Sequence, residues 1–224
     1  MMAAAKVYGG LEKPIDLSDL TIESKATGPS PLGGQLTLDM TFYLKAPDKI
    51  KTITSGFSPG QKIVVGYDGK NGWTQVMSGT VVLQTKDLPK DQLRQLSVQL
   101  AQNLSRVNNP FIEAMKLEGY AFQYMETVTL DSKLADVIVL RSPDRKATKF
   151  FVEQKSHDIV RSEQSNGVET IMTIFGDFRQ LEGRRTPFLL RTMQEDKMVA
   201  EMQISNMKIN SGLEDAFFTK PESK

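Results

Sequence analysis

The sequence predicts a mainly β chain: one curved antiparallel sheet of about 11–12 strands with a helical lid inserted mid-chain. Three observations predict it. Apolar residues fall at every second place through most segments, turn residues recur roughly every 10–15 positions, and one stretch near the middle changes to a helical period.

Alternation is clearest at Leu36, Leu38, Met40, Phe42 and Leu44, the period of a half-buried strand. Upstream, residues 20–27 alternate more weakly and end in Gly28-Pro29-Ser30-Pro31, a loop, because proline lacks the amide donor that a ladder needs. Downstream, residues 49–55, 61–67, 72–77 and 80–84 read as strands closed by turn residues such as Asp68-Gly69 and Ser78-Gly79. Leu93, Leu96, Leu100, Leu104 and Val107 then fall three or four apart with glutamines between them. That spacing predicts an amphipathic helix, with Asp87 as N-cap and Pro89 in its first turn. Asn109-Pro110 opens a second short helix to about Lys116, ended by Gly119. Strands resume over residues 120–130, 134–141, 148–153, 159–164, 168–179, 187–194 and 198–209. Their turn signals, among them Asp131-Ser132, Ser156-His157-Asp158, Asn166-Gly167, Glu182-Gly183 and Glu195-Asp196, are spaced for hairpins and exclude parallel βαβ units. No Pro-, Gly- or Ser-rich linker divides the strands, so residues 1–224 read as a single domain with lid helices at about 88–117.

Composition narrows the function classes. The 28 basic and 27 acidic residues nearly cancel, and without a run of like charge there is no footprint for nucleic acid. The chain has no cysteine, which excludes disulfides, thiolate nucleophiles and lipid attachment through an N-terminal Cys. No apolar run reaches the 18 or more residues of a membrane span, so the expectation is a protein that does not span a membrane. Residues 1–6 lack the basic start and apolar core of a signal peptide; a removed signal, or a genuine cytosolic start, fits this beginning.

A dozen twisted strands curl towards a barrel, and the hollow face must then be filled by side chains or by a ligand. The 11 methionines include Met40, Met77, Met125, Met172, Met193, Met198, Met202 and Met207 on strands. Flexible thioethers suit variable apolar partners such as acyl chains, and equally fill gaps in an ordinary core.

Catalytic motifs fail on physical grounds. Gly56-Phe57-Ser58-Pro59-Gly60 has the G-x-S-x-G pattern of a nucleophile elbow, but it lies between two strands, and Pro59 has no N–H for an oxyanion. His157 is the only histidine, which excludes a two-histidine metal site and leaves a turn residue. Asp68-Gly69-Lys70-Asn71-Gly72 lacks the bidentate glutamate of a calcium loop, since Gly79 occupies that position. The expectation is a non-enzyme with no metal and no cofactor.

Two stretches resemble the LolA-like outer-membrane lipoprotein-sorting and lipoprotein-carrier superfamily. One runs from Gly34-Gln35-Leu36 through Lys45-Ala46-Pro47-Asp48-Lys49-Ile50 to Val65-Gly66-Tyr67-Asp68-Gly69-Lys70-Asn71-Gly72-Trp73. The other joins Phe175-Gly176-Asp177-Phe178-Arg179, Gly183, Pro187 and Asn210 to Asp215-Ala216-Phe217-Phe218-Thr219-Lys220-Pro221. The resemblance implies an unclosed antiparallel β-barrel with a helical lid, periplasmic location, and lipid or lipoprotein acyl chains as partners. Where the family's lipoprotein carriers have Arg-Pro this chain has Ala46-Pro47, so other lipids are implied as readily as lipoproteins. Val7-Tyr8-Gly9-Gly10-Leu11-Glu12-Lys13 is also similar to a divergent branch found beside insulinase-like peptidases, which implies an envelope protein partner, with an accessory or sensor role, as the alternative. From strand parity and the expected lid, the ligand-binding residues are Leu38, Met40, Phe42, Trp73, Phe111, Met115, Phe122, Tyr124, Met172, Ile174 and Met202. Plain core packing is the other reading of each.

Overall fold

The computed structural model describes residues 17–89, 92–93, 119–142, 147–165 and 169–221. Among these, thirteen strands form one antiparallel sheet, one strand more than the upper end of the expected range. They are β1 Asp19–Pro29, β2 Gln35–Lys45, β3 Lys49–Ser55, β4 Gln61–Tyr67, β5 Gly72–Ser78, β6 Val81–Asp87, β7 Ala121–Leu130, β8 Lys133–Arg141, β9 Ala147–Glu153, β10 Ile159–Ser165, β11 Thr170–Leu181, β12 Arg184–Gln194 and β13 Lys197–Ile209. The order is β6-β5-β4-β3-β2-β1-β13-β12-β11-β10-β9-β8-β7, with β6 and β7 at its two ends. The chain falls into two compact units. One holds β1 to β6 with Gln203 onward, the other β7 to β12 with the start of β13 to Met202.

The expected lid, with Phe111 and Met115, lies outside the described residues apart from Leu88, Pro89, Gln92 and Leu93. There the Leu93 N–H donates to the Pro89 carbonyl at 3.1 Å, a helical i to i−4 bond. Asp87 ends β6 opposite Trp73, and its carboxylate accepts from Lys220 at 2.6 Å.

In the second unit, tight turns hold the hairpins. Asp131-Ser132, Glu182-Gly183 and Glu195-Asp196 all have positive φ at both central positions, the conformation whose twist matches the flanking strands. Register shifts between Tyr124 and Glu126 on β7 and between Ile159 and Arg161 on β10. Each shift moves every later side chain to the other face. Ile138, Val152 and Ile159, with Phe122, Phe150 and Phe175, pack on one face, and Ala135, Val137 and Phe151, with Val128, Leu130 and Val160, on the other. The guanidinium of Arg185 forks onto the buried Asp158 carboxylate at 2.8 and 3.2 Å.

In the first unit the register gives β1–β6 two faces of different chemistry. On one, Leu20, Ile22 and Ala26 of β1 join Leu36, Leu38, Met40, Phe42 and Leu44 of β2, Ile50 of β3, Ile63 and Val65 of β4, and Val76 of β5. This is the apolar face. The other carries Asp19, Tyr43, Lys45, Lys49, Lys51, Gly66, Trp73 and Asp87 at one end, where the C-terminal segment 211–220 lies across it as a strap, and Ile53, the buried Val64 and Met77 further along.

The strap begins at Asp19, whose carboxylate is almost fully buried. It accepts from Ser211 N–H at 2.7 Å, Ser211 Oγ at 2.8 Å, Gly212 N–H at 2.9 Å and Leu213 N–H at 3.2 Å. Asn210 locks the neighbouring residue, its Oδ1 accepting from the Ser18 N–H at 2.8 Å and the Ser18 hydroxyl at 2.9 Å. Burial pushes the Asp19 carboxyl up, but the donors outweigh it and hold it below the usual carboxylate range.

A depressed folded value means that this stabilisation is fully present above the unfolded value of about 3.9 and is lost as pH falls through the folded one. Asp19→Asn is therefore expected to cost about 2 kcal/mol near neutral pH. Urea unfolding of the two proteins at pH 7 and again near pH 3 checks this: the gap should narrow in acid, and an equal gap at both would contradict it.

Candidate functional site

Past Asp19 the strap crosses two rows of side chains. In the first, Lys45 Nζ donates to the Leu213 carbonyl at 2.6 Å and pairs with Asp215 at 2.7 Å, and Lys49 reaches the same carboxylate at 3.3 Å. These two lysines hold the Asp215 carboxyl below its usual range. Residues Asp215–Phe218 then wind into one 3-10 turn. In the second row Phe217 meets Tyr43 edge-on at 4.8 Å between ring centroids. Lys51 Nζ lies 4.0 Å from the Phe217 ring centroid, donates to the Phe217 carbonyl at 3.0 Å, and stands 5.7 Å from the Trp73 ring. Burial pulls the Lys51 amine below the usual lysine value. The Trp73 indole N–H donates to the Phe218 carbonyl at 3.2 Å, and both rings are fully buried. Burying each ring contributes roughly 1.5–3 kcal/mol.

Trp73 therefore belongs to the strap and not to the apolar face. Leu38, Met40 and Phe42 share a face with Val65 and Thr74, so Trp73, one residue before Thr74, points the opposite way. Gly66 stands directly opposite it on β4, where a Cβ would come within 2.3 Å of the indole.

Of the other expected ligand residues, Leu38, Met40 and Phe42 do come together, on the apolar face. Phe122 and Tyr124 lie in the second unit on the face of Ile138 and Phe150. There Phe122 packs with the Ile138 cluster, while Tyr124 is exposed, its hydroxyl 2.9 Å from Thr127 Oγ1. Met172 and Ile174 pair with Glu163 and Arg161 on the other face of that unit, and Met202 is half-buried on β13. The expected set is thus divided between faces as well as between units. The residues missed include Ile22, Leu36, Ile63, Val65 and Val76, which extend the apolar face. Their signal was strand alternation, legible only once the register linked it to Phe42.

Leu88 and Leu93 approach this face at its strap end, where a Cβ on Gly72 would meet both side chains. Gly72 shares the face with Tyr67, Ile50 and Leu44. The fully buried Leu20, Leu44 and Ile50 close that end, and the half-buried Leu36, Leu38, Met40, Ile63, Val65 and Val76 continue to the other. An apolar face of this kind can hold hydrocarbon by area alone.

The Ser58 motif has no elbow geometry. It is the hairpin loop between β3 and β4, its residues exposed, with Gly56 and Gly60 at positive φ and the Gln61 N–H donating to the Ser58 carbonyl at 3.1 Å. The Asp68 loop is an Asx turn, the carboxylate accepting from Lys70 N–H at 2.8 Å and Asn71 N–H at 2.7 Å. His157 occupies the β9–β10 turn at φ 62°.

Three solved structures share this fold. A LolA superfamily protein from Nitrosomonas europaea aligns with 98% of this chain and 98% of its own, with a TM-score of 0.58 at 17% identity. A DUF1329 family protein from Desulfovibrio piger aligns over 97% and 96%, with a TM-score of 0.59 at 16% identity. A domain named for outer membrane lipoprotein sorting from Vibrio parahaemolyticus aligns over 97% and 95%, with a TM-score of 0.55 at 11% identity. No protein-family model matches the chain, and neither does any curated protein. At these identities the likeness establishes the fold.

Trp73 is the only tryptophan, so its emission reports the strap. Gly66→Ala is expected to displace the indole, red-shift that emission, and cost about 1–3 kcal/mol through overpacking. Unchanged emission with unchanged thermal stability would show that the ring does not rest on Gly66.

Proposed function

We propose that the chain binds lipid without catalysis, holding acyl chains on the apolar face of β1–β5, as a carrier-like protein of the periplasm that acts as one domain. The observation that carries this reading is the separation of the two faces of β1–β5. On one side the strap's Asp215 carboxylate and Phe217 carbonyl take up Lys45, Lys49 and Lys51 of the sheet, and Ile22, Leu38, Met40, Phe42, Ile63 and Val65 gather on the other. The shared fold with a LolA superfamily structure and with a domain named for lipoprotein sorting supports it. Ala46, where the resemblance to lipoprotein carriers expects arginine, favours acyl chains in general over lipoproteins in particular. Met40 at the centre of the face suits a ligand of variable shape, because its thioether adapts to irregular surfaces.

Native mass spectrometry of gently purified protein, followed by organic extraction, is expected to release bound lipid. Leu38→Asp combined with Met40→Asp should weaken uptake of a fluorescent fatty acid by tenfold or more, since a carboxylate facing hydrocarbon is strongly disfavoured. Trp73→Phe should leave uptake unchanged. Protein that is isolated empty and ignores the probe would overturn the reading.

A further inference from the structure

The strands of the first unit have two chemically different ends. At the strap end stand Asp19, Lys45, Asp48, Lys49, Asp68, Lys70, Lys86 and Asp87. At the other end, three successive hairpins turn at residues 30–34, 56–60 and 79–80. The segments that form this end, residues 26–38, 52–61 and 71–85, contain no Asp, Glu, Lys or Arg. Charge resumes at Lys25, Asp39 and Lys62 on the strap face, and on β6 at Lys86, opposite Thr74 on the apolar side and at the strap end.

Large apolar side chains project from these tips. Leu32 is 98% exposed, Phe57 45% and Val81 60%, with Val82 and Leu83 exposed beside it at the start of β6. Monomeric soluble surfaces scatter single apolar residues but seldom gather them at the tips of neighbouring turns. Part of the backbone of these tips is already hydrogen-bonded. The Gly33 N–H donates to the Ser30 carbonyl and the Ser30 N–H to the Gly34 carbonyl, both at 3.0 Å, and the Gly79 N–H reaches across to the Gly60 carbonyl at 2.8 Å. That last bond ties the second tip to the third. A Cβ on Gly56 would meet the Thr37 carbonyl at 2.7 Å, which shows how closely the second hairpin rests on β2. The tips therefore form a connected rim, and Leu36, Leu38 and Ile63 on the apolar face run up to it.

We infer that this rim docks on a phospholipid surface, with Leu32, Phe57 and Val81–Leu83 entering the boundary between headgroups and acyl chains. Apolar side chains on turns enter that boundary by burying hydrocarbon, and the backbone bonds already made within these turns lower the polar cost. Because the rim carries no basic residue, its partner is a zwitterionic surface rather than an anionic one, and attachment is independent of salt. The docking stands on the rim alone and does not require an acyl chain on the apolar face.

Flotation of the 224-residue chain with phosphatidylcholine vesicles tests this, with fatty-acid uptake in vesicle-free solution measured in parallel. The chain should float equally at low and high salt, and Leu32→Ser/Phe57→Ser/Val82→Ser should lower partitioning by about tenfold or more while keeping its uptake and its Trp73 emission. Leu32→Ser alone, at a loop tip without packing, should lower it partway. A parent chain that takes up probe but stays off vesicles would overturn docking and leave the lipid-binding reading intact. One that floats without uptake would support docking and count against that reading. Flotation that needs anionic lipid, flotation the variants keep, or an apolar-rim dimer in place of vesicle binding would each overturn docking.

Discussion

Four hydrogen bonds converge on the Asp19 carboxylate, and the organisation of the first unit depends on them. An ionised group buried without partners would be expelled or neutralised, but here backbone N–H groups of Ser211, Gly212 and Leu213 replace its water. Those same bonds set where the chain goes after β13. Once Ser211–Leu213 are held against β1, Asp215 falls between Lys45 and Lys49, and Phe218 reaches Trp73. Each contact is modest alone, and surface ion pairs with the exposed Asp215 contribute little. The fully buried Trp73 and Phe218 supply the larger part, and they meet because the carboxylate has aligned the segment that carries Phe218.

Closing one face gives the other its character. β1–β5 present a charged row and an apolar row of neighbours by simple alternation, and only one of them can be satisfied by a strap rich in carbonyls. Lys45 and Lys51 donate to the carbonyls of Leu213 and Phe217, so the strap is matched to the lysine side by its own backbone. Hydrocarbon would leave those amines without partners. The apolar side has the opposite preference, and the division of labour between faces follows from hydrogen-bond supply.

The strands were largely legible because alternation is a local signal. β3 and β4 begin and end where their side chains predict. Phase was harder. Trp73 follows an Asp-Gly turn and looks like part of the same apolar set as Phe42, but its face is decided by the count of residues through β3 and β4, and an error of one residue reverses it. Gly66 held the local clue, since a glycine inside a strand marks close approach by a neighbour. In the second unit the register shift between Ile159 and Arg161 changes phase within a strand, so Met172 and Ile174 could not be assigned a face from periodicity alone. The strap was invisible as structure: a 3-10 turn of four residues has no period to detect.

Polarity along the strands was legible without any structure, though its meaning required one. Stretches without charge at residues 26–38, 52–61 and 71–85 look unrelated in sequence. Antiparallel pairing places their turns side by side, because every second connection of a meander returns to the same end. Charges then collect at the remaining connections, 46–48 and 68–71, where Asp68 caps its own turn and Lys45 and Lys49 flank the first. The strap needs donors and carboxylates at that end, and an apolar rim there would deprive it of both. Anchoring the strap and presenting bare apolar tips are thus compatible only at opposite ends of the strands, as the order of charged and uncharged turns in this chain arranges them.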